Sequence, residues 1–144
     1  MIVPDVNLLL YAYDTNAIRH RESAEWLADV FSDRLLVGLP WQVIHGFVRI
    51  STNPKICEDR FPMERAVSIV EQWIARDHVR LLSPGSNYWG ILRHLLIDGQ
   101  VRGSLTTDAQ LAAVTIEYGG VLYTTDRDFA RFPGLRRVNP LAES

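Results

Sequence analysis

The chain has 144 residues, 47% of them apolar and 22% charged, with a formal net charge of −2 at pH 7. This length and balance predict one globular domain, residues 1–144, and the charge excludes a protein that binds nucleic acid by bulk electrostatics alone. The single cysteine, Cys57, excludes an internal disulfide framework and a cysteine-rich zinc site, and it favours a reducing, cytoplasmic compartment. We expect neither a signal peptide at residues 1–5 nor a membrane-spanning segment, because no suitable apolar run is present.

Short apolar strands alternate with helices along the chain. Strands are predicted at residues 1–3, 35–39, 79–82, 121–125 and 135–138. Helices are predicted at residues 8–13, 20–31, 41–51, 62–75, 88–97 and 105–118, the fourth of them lined by Val67, Val70 and Ile74. This alternation predicts an α/β fold of three layers, α/β/α, around a central parallel sheet of four to five strands.

The stretch from residue 105 to residue 132 combines a buried element with acidic residues. Its helix is almost wholly apolar and ends at Gly119-Gly120, where a left-handed cap is expected, and a strand follows directly. Asp108 stands at the start of this helix, and Asp126 and Asp128 follow the strand. In a parallel sheet both positions lie at the carboxyl ends of strands, where such folds bind ligands.

Asp5 follows the first predicted strand, so three strand ends supply carboxylates if the sheet order brings them together. Each acid also has a local explanation: Asp108 as a first-turn carboxylate favoured by the helix dipole, and Asp126 as a cap of the next turn. A cluster of carboxylates requires a cation or shared protons, because like charges repel. Oxygen ligands suit Mg²⁺ or Mn²⁺, and a metal held by carboxylates is a common design for phosphodiester hydrolysis.

We therefore predict a metal site made of Asp5, Asp108, Asp126 and Asp128. Asn7 is a candidate to orient the attacking water or a ligand carboxylate. Thr124 and Thr125 are candidates for hydrogen bonds that hold the ligand carboxylates in place.

Several aromatic and basic residues leave two interpretations open. Most tryptophans fall in apolar helical patterns, which favours core packing, with Trp41 after Pro40 as the exception. His45 is either a functional residue or a polar residue at the edge of the core. The following arginines would either contact RNA phosphates, which we favour, or pair with the acids: Arg49, Arg127, Arg131, Arg136 and Arg137.

Four motifs, in this order along the chain, resemble the PIN-domain family, and within it the VapC-type ribonuclease toxins of bacterial toxin–antitoxin pairs. They are Asp5-Val6-Asn7, Gly46-Phe47-Val48-Arg49 before Asn53-Pro54, Thr107-Asp108-Ala109, and Thr125-Asp126-Arg127-Asp128-Phe129. The resemblance covers nearly the whole chain, and the run of residues 126–135 is similar to a mycobacterial-type branch of the family.

The resemblance implies a PIN-like fold and a Mg²⁺-dependent endoribonuclease, with Mn²⁺ as a possible substitute, that cuts structured RNA such as tRNA or rRNA. It implies catalytic roles for Asp5, Asp108, Asp126 and Asn7. It also implies a small antitoxin whose basic side chain enters the acidic pocket, and a homodimer. Apolar stripes on residues 20–31 and 62–75 point to a homodimer as well.

One departure from the family concerns the third helix, where many PIN domains carry a further glutamate and this chain has Gly46. It leaves open a pocket with one metal rather than two, or compensation by Asp128. It also keeps one alternative function open, a catalytically silent PIN-like domain that binds RNA or a protein. A receiver domain would need a lysine near the last strand end, and a haloacid-dehalogenase-like phosphatase would need aspartate in place of Asn7.

Overall fold

The computed structural model describes residues 1–32, 34–56 and 60–141. The strands are β1 (Ile2–Pro4), β2 (Val37–Pro40), β3 (Val79–Leu82), β4 (Val121–Tyr123) and β5 (Arg137–Val138). The helices are α1 (Val6–Tyr13), α2 (His20–Ser32), α3 (Trp41–Ser51), α4 (Met63–Ile74), α5 (Tyr88–Asp98) and α6 (Leu105–Glu117), and a 3₁₀ turn spans Arg127–Arg131. Cys57 lies outside the described residues, so the inferences drawn from it stay predictions. Within the described ranges, no helix is both long and apolar enough to cross a membrane.

The five strands form one parallel sheet in the order β3-β2-β1-β4-β5, which confirms the predicted α/β fold. The chain first builds outward from β1 to β3, and α5 and α6 then carry it back to β4 on the other side of β1. Because parallel crossovers are right-handed, this reversal places α5 and α6 on the face opposite α1 to α4. The helices accordingly pack within these two groups. The reversal makes the carboxyl ends of β1 and β4 the expected ligand-binding crevice.

Pro4 lies in β1, the central strand of the sheet, and lacks a backbone N–H. The missing N–H would point towards β2, with which β1 forms few backbone hydrogen bonds. The backbone N–H of Ile2 donates to the carbonyl of Leu36 on the β2 side, and residue 4 faces the same side two positions later. Pairing with β2 is accordingly limited to Ile2 and Val37, whereas β1 pairs with β4 through three residue pairs. The proline therefore leaves the β1–β4 junction fully bonded.

One prediction about the apolar strands is wrong. Leu35 and Leu36, expected in the second strand, are 57% and 47% exposed, because the pairing of β2 with β3 begins only at Val37. The predicted apolar stripe of α4 is partly uncovered: Val67 and Ile74 are 42% and 39% exposed, whereas Val70 is buried.

The helix α4 is apolar on two sides, and the side that packs inward is the one that carries Trp73. This ring is 1% exposed and lies 4.7 Å from the ring of Phe47, centroid to centroid. Trp89 on α5, also predicted to pack in the core, is 64% exposed. The stripe of α2 is covered, since Leu27 and Phe31 are buried in the same core, so it no longer argues for a dimer.

The end of α6 gives a first testable prediction. Gly119 has φ of 67°, the left-handed conformation expected there, and a Cβ at this position would meet nothing within 4 Å. We expect Gly119→Ala to lower the free energy of unfolding by about 1–2 kcal/mol, because only the backbone conformation is penalised. Gly90→Ala is the control: it lies in α5, also in open space, and should raise stability by about 0.5–1 kcal/mol. Equal midpoints of urea unfolding for Gly119→Ala and the parent would contradict the left-handed conformation assigned to Gly119.

Candidate metal centre

Three carboxylates converge at the carboxyl edge of the sheet. One oxygen each of Asp108, Asp126 and Asp128 lies within 4.8 Å of the other two. Asp108 stands in the first turn of α6, and the other two belong to the segment that follows β4. The two halves of the group therefore come from opposite ends of the α6–β4 unit.

Asp5, at the end of the neighbouring strand, is not in this group of three but is linked to it through Thr124. Its side chain is 6% exposed, and its Oδ1 accepts the N–H of Val6 at 2.7 Å, so that it caps α1. Its Oδ2 accepts the hydroxyl of Thr124 at 2.8 Å. The same hydroxyl accepts the N–H of Asp126 at 3.0 Å. Thr124 therefore ties the end of β1 to the end of β4, as expected for a residue that holds site carboxylates.

The pKa values of Asp5 and Asp108 are raised above the ordinary value of a carboxyl group. Burial is the main cause of the raised pKa of Asp5; hydrogen bonds from Thr124 and Val6 oppose the rise and the charge of Asp126 adds to it. Burial is also the main cause of the rise in the pKa of Asp108 from 3.8 to about 6. The charges of Asp126, Asp5 and Asp128 then add to that rise. The cluster thus behaves as one site that favours a proton or a cation.

The raised pKa of Asp108 predicts how the stability of the metal-free protein depends on pH. Because the pKa of Asp108 is higher in the folded chain than in the unfolded chain, the folded state binds more protons between pH 3.8 and about 6. The contribution of Asp108 to stability is therefore lost as the pH rises through about 6. We expect Asp108→Asn to raise the thermal midpoint in EDTA at pH 7.5 and to change it little at pH 4. An equal shift at both pH values would contradict this prediction.

Asp126 also caps the turn that follows it, which is the local role that the sequence suggested. Its Oδ1 accepts the N–H of Asp128 at 2.8 Å, which caps the 3₁₀ turn. That bond occupies one side of one oxygen, so capping and metal binding are compatible. Asp128 itself is exposed, at the outer side of the group.

The helix α3 borders the pocket through contacts that the sequence did not reveal. The amide of Gln42 donates to the carbonyl of Thr107, next to Asp108, at 3.2 Å. A Cβ at Gly46 would lie 3.3 Å from Cγ2 of Val6, beside Asp5. The position expected for the family's glutamate thus lies at the pocket without an acid. Asn7 is half-buried in the first turn of α1, and its role stays a prediction.

The arginines divide between the two ends of the sheet. Arg131 lowers the pKa of Asp108 and donates to the carbonyl of Gly99 at 3.4 Å. Arg136 donates to the carbonyl of Gly119 at 2.7 Å, at the amino end of β4. The expectation that Arg136 contacts phosphate beside the metal is therefore wrong, because it lies at the opposite edge of the sheet.

Comparison with known proteins agrees with this architecture. The family model described as PIN domain matches residues 2–135. The chain belongs to the PIN-domain family. It is 38% identical over 143 residues to "Ribonuclease VapC33" of Mycobacterium tuberculosis, an alignment that covers 99% of this chain and 100% of that protein. The resemblance to the VapC-type branch of the PIN family is thereby confirmed.

Solved structures of distant relatives share the fold. The VapBC2 complex of Rickettsia felis, bound to a DNA fragment from its promoter, includes a chain that matches with a TM-score of 0.68 at 18% identity, over 96% of this chain and 98% of that one. M. tuberculosis VapC20, described as a sarcin-ricin loop cleaving toxin, matches with a TM-score of 0.67 at 18% identity, over 94% and 99% of the chains. These matches support the PIN-like arrangement of the sheet and its helices.

Proposed function

We propose that this chain is a Mg²⁺-dependent endoribonuclease, the toxin of a toxin–antitoxin pair, that cuts structured RNA such as tRNA or rRNA. The convergence of Asp108, Asp126 and Asp128, with Asp5 near enough for its charge to raise the pKa of Asp108, carries this proposal, because such carboxylates favour a cation or shared protons. The ribonuclease name of VapC33, at 38% identity over the full length, supports the choice of RNA.

The donor set fits a hard divalent cation, since it consists of carboxylate oxygens alone. Asp5, Asp108, Asp126 and Asp128 are the carboxylates that would hold the ion. A bound ion would stabilise charge on the scissile phosphate and lower the pKa of an attacking water. Thr124 and the N–H of Val6 hold the side chain of Asp5 through hydrogen bonds. We propose that Asn7, in the first turn of α1, orients the attacking water. We propose Mg²⁺, with Mn²⁺ as a substitute, and Asp128 as compensation for the absent glutamate at position 46.

We further propose a small cognate antitoxin that covers the acidic pocket with a basic side chain, most simply an arginine, which would pair with the carboxylates. The structurally similar VapBC2 of R. felis was solved as a complex, which supports a partner of this kind. A homodimer is also proposed, because α4 leaves Val67 and Ile74 exposed.

Incubation of the purified chain with total cellular RNA tests the proposed activity. We expect discrete cuts in Mg²⁺ or Mn²⁺ and none in EDTA, with activity restored by excess metal. Asp29→Asn, which changes an exposed acid on α2, is the matched control and should cut like the parent.

A second candidate function is a non-catalytic RNA-binding domain. It is considered because Gly46 stands where many PIN domains carry a glutamate. It would be favoured if RNA bound to the purified chain but stayed intact at every metal concentration.

A further inference from the structure

A line of three exposed residues runs along the solvent side of α3. Trp41, His45 and Arg49 follow one another at spacings of four, so they share one side of the helix, opposite the buried Val43 and Phe47. Trp41 is 39% exposed, and its ring lies 5.9 Å from the ring of His45 at an interplanar angle of 34°. This line, which we call the α3 stripe, combines flat rings with a cation.

The α3 stripe begins at the same edge of the sheet as the carboxylates. Trp41 directly follows β2, and the next residue, Gln42, contacts the carbonyl of Thr107 at 3.2 Å. Thr107 precedes Asp108, a member of the acidic cluster. A chain bound at the carboxylates would therefore reach the α3 stripe within a short distance.

A cavity of about 240 Å³ opens beside the rings at the carboxyl ends of β2 and β3. Its lining includes Trp41, His45, Tyr88 and Gln110. It is smaller than the 300–1,000 Å³ typical of pockets for drug-sized ligands, so it suits a single flat ring. Apolar walls with a few amide and hydroxyl groups are the usual surroundings of an unstacked nucleobase.

The charge of the protein favours contacts with the bases of RNA over contacts with its phosphates. The net charge is −2 and the acids of the pocket repel phosphate, so phosphate contacts alone give little affinity for RNA before metal binds. Stacking on an exposed aromatic ring does not depend on charge, and each stacked base adds substantially to affinity. Arg49 forms no hydrogen bond or ion pair within the described residues, so its guanidinium is available for a phosphate.

We propose that the α3 stripe binds an unpaired nucleotide of the RNA next to the cleaved bond. The base stacks on Trp41, its edge enters the adjoining cavity, and Arg49 contacts the backbone phosphate. The inference rests on the proposed function in one respect, that the ligand of this edge is RNA. It adds a subsite that selects a single-stranded position of the substrate.

Binding of a labelled, single-stranded oligoribonucleotide of mixed sequence tests the subsite, with fluorescence anisotropy as the readout. All variants carry Asp108→Asn as well, so that the RNA stays intact. We expect Trp41→Ala to weaken binding about 5- to 100-fold, and Trp41→Phe to retain most of the affinity, because it keeps a ring. Trp89→Ala, which removes a more exposed tryptophan from α5, is the control and should bind like its background.

Oligoribonucleotides with one abasic position extend the test. An abasic position that weakens binding to the Trp89→Ala control should have no effect on the Trp41→Ala protein, since the stacking partner is already gone. Equal affinity of Trp41→Ala and Trp89→Ala would overturn the inference. It would also be overturned if light scattering showed that Trp41→Ala converts dimers to monomers while each chain binds RNA as before, because the stripe would then join two copies. A parent chain that cuts no RNA but needs Trp41 to bind it would refute the proposed function, while the binding of an unpaired nucleotide by the α3 stripe would stand.

Discussion

The Asp108→Asn variant is expected to fold and to lose nearly all RNA cleavage. Asp108 does not cap α6, and its raised pKa shows that its charge is unfavourable in the folded chain without a cation. Replacing the carboxylate with an amide of the same size therefore removes repulsion and keeps the shape. Loss of a residue that only orients a metal ligand costs about 10- to 100-fold, so loss of a ligand itself should cost more.

Thermal unfolding separates this outcome from misfolding. The variant should melt at or above the parent's midpoint in EDTA, and Mn²⁺ should no longer raise that midpoint, because ligand stabilisation requires binding. Asp5→Asn and Asp126→Asn should lose cleavage in the same way if the acids share one site. Cleavage by Asp108→Asn at the parental rate, with an unchanged response to Mn²⁺, would favour the non-catalytic alternative.

The Thr124→Val variant should lose about 10- to 100-fold in cleavage, although residue 124 does not touch the metal in this account. Its hydroxyl is buried, donates to Asp5 and accepts from the N–H of Asp126, so valine leaves both partners unsatisfied. We expect the free energy of unfolding to fall by about 1–3 kcal/mol as well. Thr124→Ser keeps the hydroxyl and should retain most of the activity.

Thr115→Val provides a matched control for that experiment. Thr115 is also buried, but its hydroxyl donates only to the carbonyl of Leu111 within α6, at 2.8 Å. Such a bond back to the preceding turn contributes little to a helix, so valine should be tolerated with nearly unchanged cleavage. If both valine variants reduced cleavage equally, the effect would come from general loss of stability and not from the orientation of Asp5.

The alternation of strands and helices made the fold class predictable, because each element carries its own periodic pattern. The sheet order was not predictable from those patterns, and it decides the site. Asp5 and Asp126 come together because β1 and β4 are neighbours, and the bond between Thr124 and Asp5 spans 119 residues of sequence. By contrast, the cap that Asp126 forms with Asp128 spans two residues and was readable from the local sequence.

The features that could not be predicted from the sequence depend on tertiary contacts. The helix α4 offers two apolar sides, and only the packing of Trp73 against Phe47 decides which one is buried. The bond from Gln42 to Thr107 joins residues 65 apart, and a glutamine on a helix surface carries no pattern that predicts its partner. Arg136 is near the acids in sequence but at the opposite edge of the sheet, because β4 and β5 are parallel.

Diffraction from crystals soaked in Mn²⁺ is a direct test of the metal centre, since the anomalous signal of manganese locates the ion without reference to activity. We expect a peak about 2 Å from carboxylate oxygens of Asp108 and Asp126, with Asp5 or Asp128 and water as further ligands. The Asp108→Asn crystal, treated in the same way, should show a much weaker peak. A peak elsewhere, or none at a Mn²⁺ concentration that supports cleavage, would contradict the assignment of this cluster as the metal centre.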